Sequence, residues 1–131
     1  MTIAKWCVLA ACSLPILTVG LAKLASARGP ASADRYDNQQ PRDWAARLTG
    51  WQQRANAVQL NGFEALPLFV AAVLLAQMAQ AEQGRIDGLA LAFVAIRVVY
   101  GAVYLMGLGS LRTLVWSAGF ATCIALLLLA A

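Results

Sequence analysis

The sequence predicts an all-α integral membrane protein built as a four-helix transmembrane bundle, and three observations carry that prediction. Of the 131 residues 61% are hydrophobic and only 12% charged, with a mean hydropathy of +0.68; soluble domains are roughly half apolar and a quarter charged. The apolar residues thus number about 80, which matches four spans of roughly 20 residues each. They are gathered into four runs separated by one long and two short polar stretches. A large soluble domain is excluded.

The first span is expected over about residues 3–24, with Lys5 and Lys23 near its ends, where long side chains reach the interface, and Pro15 inside it. Leu9, Ala10, Ala11 and Cys12 resemble a lipoprotein cleavage box, and Ala25, Ser26 and Ala27 a signal-peptidase site. Too few apolar residues precede the first and three more spans follow the second, so the segment reads as a retained span. Residues 25–50 form a polar loop with turn chemistry, including Arg28, Gly29, Pro30, Asp34, Asp37, Asn38 and Pro41. Asp43 is expected to cap a helix that starts near Trp44 and runs through Gln52, Arg54 and Asn61 into the second span, about residues 57–79. Pro67 is expected to kink it. After the short polar turn from Gln80 to Asp87, the third span covers about residues 88–108. Gly107, Gly109 and Ser110 end it, and the fourth covers about residues 111–131.

Lys23, Arg28, Arg35, Arg42, Arg47 and Arg54 surround the long loop, against Lys5 at the N-terminus and Arg85 in the second connection. The positive-inside rule therefore expects loop 25–50 in the cytoplasm and both termini on the opposite side. That rule accounts for the net charge of +4, and no nucleic-acid signature accompanies it. The absence of histidine removes the imidazole base and ligand, excludes zinc-centred and Ser-His catalysis, and leaves acid-base work to Arg, Tyr, Glu or thiol groups. No metal site is expected. Cys7, Cys12 and Cys123 are odd in number, lie in apolar runs and lack CxxC spacing, so they read as inert buried thiols.

Ionisable residues inside spans cost roughly 2.5–3.5 kcal/mol each at a helix centre, so each needs a partner or a watery cavity. Arg54, Asn61 and Glu64 are separated by seven and three residues, which stacks them on one helix face. Arg97, Tyr100 and Tyr104 follow the same rule on the third span, and Arg112 opens the fourth about two turns beyond Tyr104. Read as structural glue, Glu64 pairs with Arg97, Asn61 bridges helices and the tyrosines anchor at the interface. The surplus of donors suits an anionic, peptide-like ligand that offers carboxylates to the arginines, an amine to Glu64 and an amide to Asn61.

These residues resemble the membrane-associated proteins in eicosanoid and glutathione metabolism (MAPEG), which include microsomal glutathione transferases and prostaglandin E and leukotriene synthases. Arg54 and Ala55, then Asn61, Glu64, Pro67, Leu68 and Phe69, are similar to the family's R-A … N-x-x-E-x-x-P-[LI]-F signature. Arg97, Tyr100 and Tyr104, followed by Leu111, Arg112 and Thr113, resemble its R-x-x-Y-x-x-x-Y … L-R-T pattern. Asp37, Asn38, Pro41 and Arg42 look like the D-N-x-x-P-R of bacterial members. The resemblance covers about residues 36–116, and the outer spans match in hydropathy alone.

The resemblance implies a homotrimer in the bacterial inner membrane, with glutathione as co-substrate bound between adjacent subunits near the cytoplasmic face. By position, Asn61 and Glu64 would bind the glutathione backbone, Tyr100 and Tyr104 would line the site, and Arg97 would support it. Arg112 would stabilise the thiolate, with Tyr104 as a further donor. Where eukaryotic synthases carry a glutathione-binding arginine, four residues before the Asn, this chain has Ala57; Arg54, one turn earlier, either compensates or is interfacial. The implied activity is glutathione transferase or peroxidase towards lipophilic electrophiles. A non-catalytic protein that keeps the fold as a structural or lipid-binding partner is the alternative. A small channel lined by Arg97 and Glu64 has few polar positions to line it.

Overall fold

The computed structural model describes residues 1–28 and 35–131; Gly29, Pro30 and Asp34 of the expected loop lie outside the described residues. Five helices follow in order: α1 (Ile3–Arg28), α2 (Pro41–Ala46), α3 (Gly50–Met78), α4 (Gln83–Leu105) and α5 (Gly109–Leu128). All but α2 are long and apolar enough to cross a membrane. α1 packs on α3 and α4, and α5 packs on the same two helices from elsewhere, so α3 and α4 form the centre of the bundle.

The distribution of side-chain size explains how the helices hold together. Ala4, Cys7, Ala11, Ala22, Ala55, Ala72, Ala76 and Ala90 are buried at helix contacts, whereas Trp6, Leu9, Ile16, Leu17, Leu114 and Leu128 point outward. A soluble bundle would reverse this order. In lipid there is no hydrophobic drive between helices, and close approach of small residues, with the dispersion contacts it permits, takes its place. The tightest approach is between α1 and α3, where a Cβ at Gly62 would stand 2.6 Å from Pro15 Cγ. Deeper in the bundle Phe69 of α3 stacks on Phe93 of α4, with centroids 4.0 Å apart.

Polar side chains fix the two ends. At the end carrying the N-terminus, Asp87 Oδ1 accepts from the Ala4 amide at 2.8 Å and so satisfies a free N–H of the first turn of α1. Gln83 Nε2 donates to the same Asp87 oxygen at 2.7 Å, and Gln77 Nε2 to Thr2 Oγ1 at 3.1 Å. At the long-loop end Trp44 is 1% exposed, and its Nε1 donates to Ser26 Oγ at 3.2 Å. Tyr36 packs edge-on against Trp44, and Lys23 Nζ donates to the Tyr36 hydroxyl at 3.1 Å.

One expectation is corrected here. The helix expected to run unbroken from Trp44 through Arg54 is divided into α2 and α3, and Asp43 lies in the first turn of α2 rather than capping it. Proline is well suited to a first helical position because it has no N–H to leave unpaired, so Pro41 begins α2, and Gln40 precedes it. Burial of both Trp44 and Leu48 draws the chain inward, and Gly50, at φ +58°, turns it into α3. Helix α3 then continues through Pro67.

The Gly62 contact generates a prediction. Gly62→Ala sets a methyl against the rigid Pro15 ring and should destabilise the protein by about 1–3 kcal/mol, the usual cost of overpacking. Gly101→Ala, whose Cβ would rest 3.6 Å from Val58 Cγ1, should be neutral or slightly stabilising. Thermal unfolding of the two variants in detergent separates these outcomes.

Candidate functional site

The candidate residues converge from three helices. α3 supplies Asn61 and Glu64, α4 supplies Arg97, Tyr100 and Tyr104, and α5 supplies Arg112 from its first turn. Arg97 lies eight residues before Leu105, the last residue of α4, which at 1.5 Å per residue places it about 12 Å from the long-loop end of the helix. Its Nη1 donates to Asn61 Oδ1 at 2.9 Å. Asn61 Nδ2 donates in turn to Glu64 Oε2 at 3.5 Å, a long bond at the limit of the interaction.

The rest of the cluster is held by aromatic faces. The Arg97 guanidinium lies over the Tyr100 ring at 4.4 Å, and Tyr100 meets Tyr104 edge to face with centroids 5.7 Å apart. Arg112 lies over the Tyr104 ring at 4.6 Å. A guanidinium over a ring face is attracted by the ring quadrupole, and the attraction grows when both partners are out of water. One run of contacts therefore leads from Glu64 through Asn61, Arg97, Tyr100 and Tyr104 to Arg112. Tyr100 is 3% exposed and serves as the platform beneath Arg97, whereas Asn61, Arg97, Tyr104 and Arg112 are half-buried and Glu64 is exposed.

The direct Glu64–Arg97 pair expected from spacing is corrected. Among the described residues the ion pair is Arg85 with Glu82, at 2.8 Å on the surface. Asn61, one turn before Glu64, lies level with Arg97 and takes the guanidinium first, so the carboxylate is reached through the amide. Arg54 stands apart from this network. Its Nε donates to the Leu105 carbonyl at 2.9 Å, which satisfies a free acceptor at the end of α4 and ties α3 to it. Ala57 is half-buried between Arg54 and Asn61.

Beside the network, between α3, α4 and α5, is a cleft of about 430 Å³. Asn61, Glu64 and Arg97 form its polar wall, and Phe93, Trp116, Phe120 and Cys123 its apolar one. Tyr104 and Arg112 are not on its lining. The apolar wall was not anticipated from sequence, although Trp116, Phe120 and Cys123 follow Arg112 by 4, 8 and 11 residues, a helical stripe that would have singled them out. Two guanidinium groups against one carboxylate make the cluster net positive, so the site suits an anion.

A family model described as the MAPEG family matches residues 3–131, essentially the whole chain. No curated protein and no solved structure matches it.

The Asn61–Arg97 bond generates a second prediction. Asn61→Leu leaves the guanidinium without its hydrogen-bond acceptor and should cost about 1.5–3 kcal/mol, the range for hydrogen bonds to charged groups. Adding Arg97→Met should recover much of that loss, because both polar partners are then gone. A thermal-unfolding double-mutant cycle in detergent measures the coupling.

Proposed function

The chain belongs to the MAPEG family, an integral membrane protein of glutathione or eicosanoid metabolism in general, and from that premise we propose that it is a glutathione-dependent membrane enzyme. Its activity is glutathione transferase or glutathione peroxidase towards lipophilic electrophiles, with the thiolate stabilised by Arg112. The observation that carries this reading is the stacking of Arg112 on Tyr104, which gathers a guanidinium and a phenol at one end of the Arg97–Asn61–Glu64 network.

The donor set fits glutathione. Glu64 accepts one long bond in the structure and retains capacity for the ligand's ammonium group. Asn61 spends one N–H on Glu64 and one lone pair on Arg97, which leaves a donor and an acceptor for a peptide amide. Arg97 and Tyr100 hold Asn61 in place, and the remaining guanidinium N–H groups suit the ligand's carboxylates. The arginine that eukaryotic synthases carry at the position of Ala57 is replaced in this scheme by Arg54, whose Nη groups remain available beside its bond to Leu105.

Thiolate formation decides the chemistry. A free thiol has a pKa of about 8.5 and is mostly protonated at neutral pH. Lowering that value by about two units requires about 2.7 kcal/mol in favour of the charged form. A guanidinium at about 4 Å supplies roughly 4 kcal/mol at an effective dielectric near 20, before desolvation is subtracted, so Arg112 suffices at close contact and Tyr104 adds a hydrogen bond. The nucleophile so held meets an electrophilic carbon or a peroxide oxygen on a lipophilic compound, and catalysis consists of positioning and charge stabilisation.

Assembly and topology complete the reading. Glu64 is exposed on the single chain at the level of Arg97, which supports a homotrimer whose neighbouring copy covers the site and completes the glutathione pocket. The excess of Lys and Arg around the long loop supports a bacterial inner-membrane protein with loop 25–50 in the cytoplasm and both termini opposite. A second reading, a non-catalytic MAPEG protein that acts as a structural or lipid-binding partner, draws on Ala57 and on the engagement of Arg54 by the Leu105 carbonyl.

Calorimetry with glutathione in detergent, with thiolate absorbance followed on the same sample, tests the proposal. Saturable binding is expected, and because the bound thiol's pKa is lowered, the thiolate signal should develop about two pH units below that of free glutathione. Arg112→Ala should return the signal to the free-thiol range with the oligomer intact; an unchanged signal in that variant refutes the role of Arg112, and no binding at millimolar glutathione favours the non-catalytic reading. Reporter fusions to the C-terminus should be active only on the side opposite the cytoplasm, and a cytoplasmic C-terminus overturns the topology.

A further inference from the structure

Another cavity lies away from the Arg97 network, at the long-loop end of the bundle between α1, α2 and α3, with a volume of about 350 Å³. Its origin is in the packing. α1 and α3 approach most closely at Pro15 and Gly62. Nearer the loop, Trp44 of α2 is buried in one cluster with Val19 and Ala22 of α1 and Ala55 of α3, so a bulky indole sits where the crossing has small residues. The groove opens beside that indole and is closed below by the crossing.

The chemistry of its walls is divided by depth. Lys23 and Arg42 supply two cations, Asn56 and Gln59 two amides, and Val19 and Leu60 an apolar floor; none of the residues on the lining is acidic. Lys23 is held in position, since its Nζ donates to the Tyr36 hydroxyl at 3.1 Å and lies 4.5 Å from the centre of that ring, which leaves two N–H groups to give. Asn56 and Gln59 are half-buried, and neither they nor Arg42 make a side-chain hydrogen bond to another described residue. Half-buried donors without acceptors call for a partner that accepts.

The level of the groove decides what that partner is. Lys23, Asn56 and Gln59 lie where the apolar runs of α1 and α3 give way to polar chain, at the expected boundary between hydrocarbon and headgroups. Leu60, at 56% exposure, and one turn deeper Ile16 of α1 and Phe63 of α3, at 61% and 42%, continue an apolar surface away from the cations. A free anion would have no use for that surface. An acyl chain attached to the anion would.

We propose that the α1–α2–α3 groove holds the headgroup of an anionic phospholipid, with its phosphate taken by Lys23 and Arg42, its glycerol and ester oxygens by Asn56 and Gln59, and an acyl chain leaving over Leu60. Two fixed cations and no carboxylate favour a headgroup without a positive charge of its own, and a choline would be repelled. The site shares no residue with the Glu64–Arg112 network, and the proposal does not rest on the glutathione reading.

Native mass spectrometry of the delipidated full chain in detergent, titrated with dioleoylphosphatidylglycerol, tests it. One tightly held lipid per chain is expected, on the oligomer as well as on the single chain, and dioleoylphosphatidylcholine should bind about tenfold more weakly. Lys23→Gln and Arg42→Gln should each weaken phosphatidylglycerol binding about fivefold, while Arg85→Gln, which removes a cation at the other end of the bundle, should leave it within about twofold. Arg42 is exposed, so its variant tests the site without disturbing the fold. Equal affinity for the two lipids, or unchanged affinity in both groove variants, would overturn the proposal. Displacement of the lipid by millimolar inorganic phosphate would overturn it in favour of a free anion, displacement by glutathione in favour of the thiol ligand, and loss of the lipid from the oligomer alone in favour of a second copy covering the groove. Because the titration contains no glutathione until that last competition, failure of the lipid site leaves the thiol reading standing, and absence of glutathione binding leaves the lipid site standing.

Discussion

A guanidinium held about 12 Å inside a membrane-spanning helix is the constraint around which this protein is arranged. Alone, Arg97 would cost several kcal/mol at such a depth. The structure offsets that cost with two partners of different kinds: a hydrogen bond to Asn61 at 2.9 Å and the face of Tyr100 at 4.4 Å. The first crosses to α3 and the second stays on α4, so satisfying one charge also fixes the rotation of α4 against α3. Tyr104 and Arg112 then follow from Tyr100 by ring contacts, and α5 is brought into register by the same chain of interactions.

That network would not form if the helices stood at ordinary separations. Small residues at the contacts bring the backbones close, and the Gly62–Pro15 approach sets the level at which α3 meets α1. Gly62 directly follows Asn61 in sequence, so the tightest helix crossing adjoins the residue that receives Arg97. Packing and polar satisfaction are thus enforced at one level of the bundle. At the far ends other polar contacts act as pins, with Asp87 on the first turn of α1 and Arg54 on the last carbonyls of α4.

The bundle was legible in the sequence because lipid imposes a crude rule: runs of apolar residues long enough to span, broken by polar turns. The membership of the polar cluster was legible for a related reason, since residues three, four and seven apart share a helix face whatever the tertiary context. What spacing along one helix does not contain is the relative height of two helices. Glu64 and Arg97 have opposite charges and suitable positions, yet Asn61 is the residue level with Arg97, and the pair is bridged rather than direct. Arg54 shares a face with Asn61 but lies two turns nearer the end, where the nearest acceptor is a helix carbonyl. The break between α2 and α3 was hidden for another reason: it depends on burial of Trp44 and Leu48 against α1, a tertiary event in a stretch whose local signals favour helix. The cleft escaped because aromatic residues in an apolar run look alike from sequence until a neighbouring stripe faces them.

The exposed carboxylate of Glu64 is the point where these constraints remain open within one chain. The other members of the cluster are at least half-buried and are held by the Arg97–Asn61 bond or by ring contacts, while Glu64 has one long bond and an accessible surface. At the level of Arg97 that surface faces either hydrocarbon, which opposes a charge, or something that meets it. A bound ammonium and a neighbouring copy of the chain are the two covers that suit a carboxylate beside an arginine-rich seam, and they act at the same place. A cover supplied by a second chain would enclose the Arg97–Asn61 network and deepen the low-dielectric environment in which Arg112 acts, so assembly and thiolate stabilisation would reinforce each other. Bundles whose polar network is complete inside one chain have no such link between association and chemistry; under the proposed reading, the incomplete satisfaction of Glu64 would provide it here.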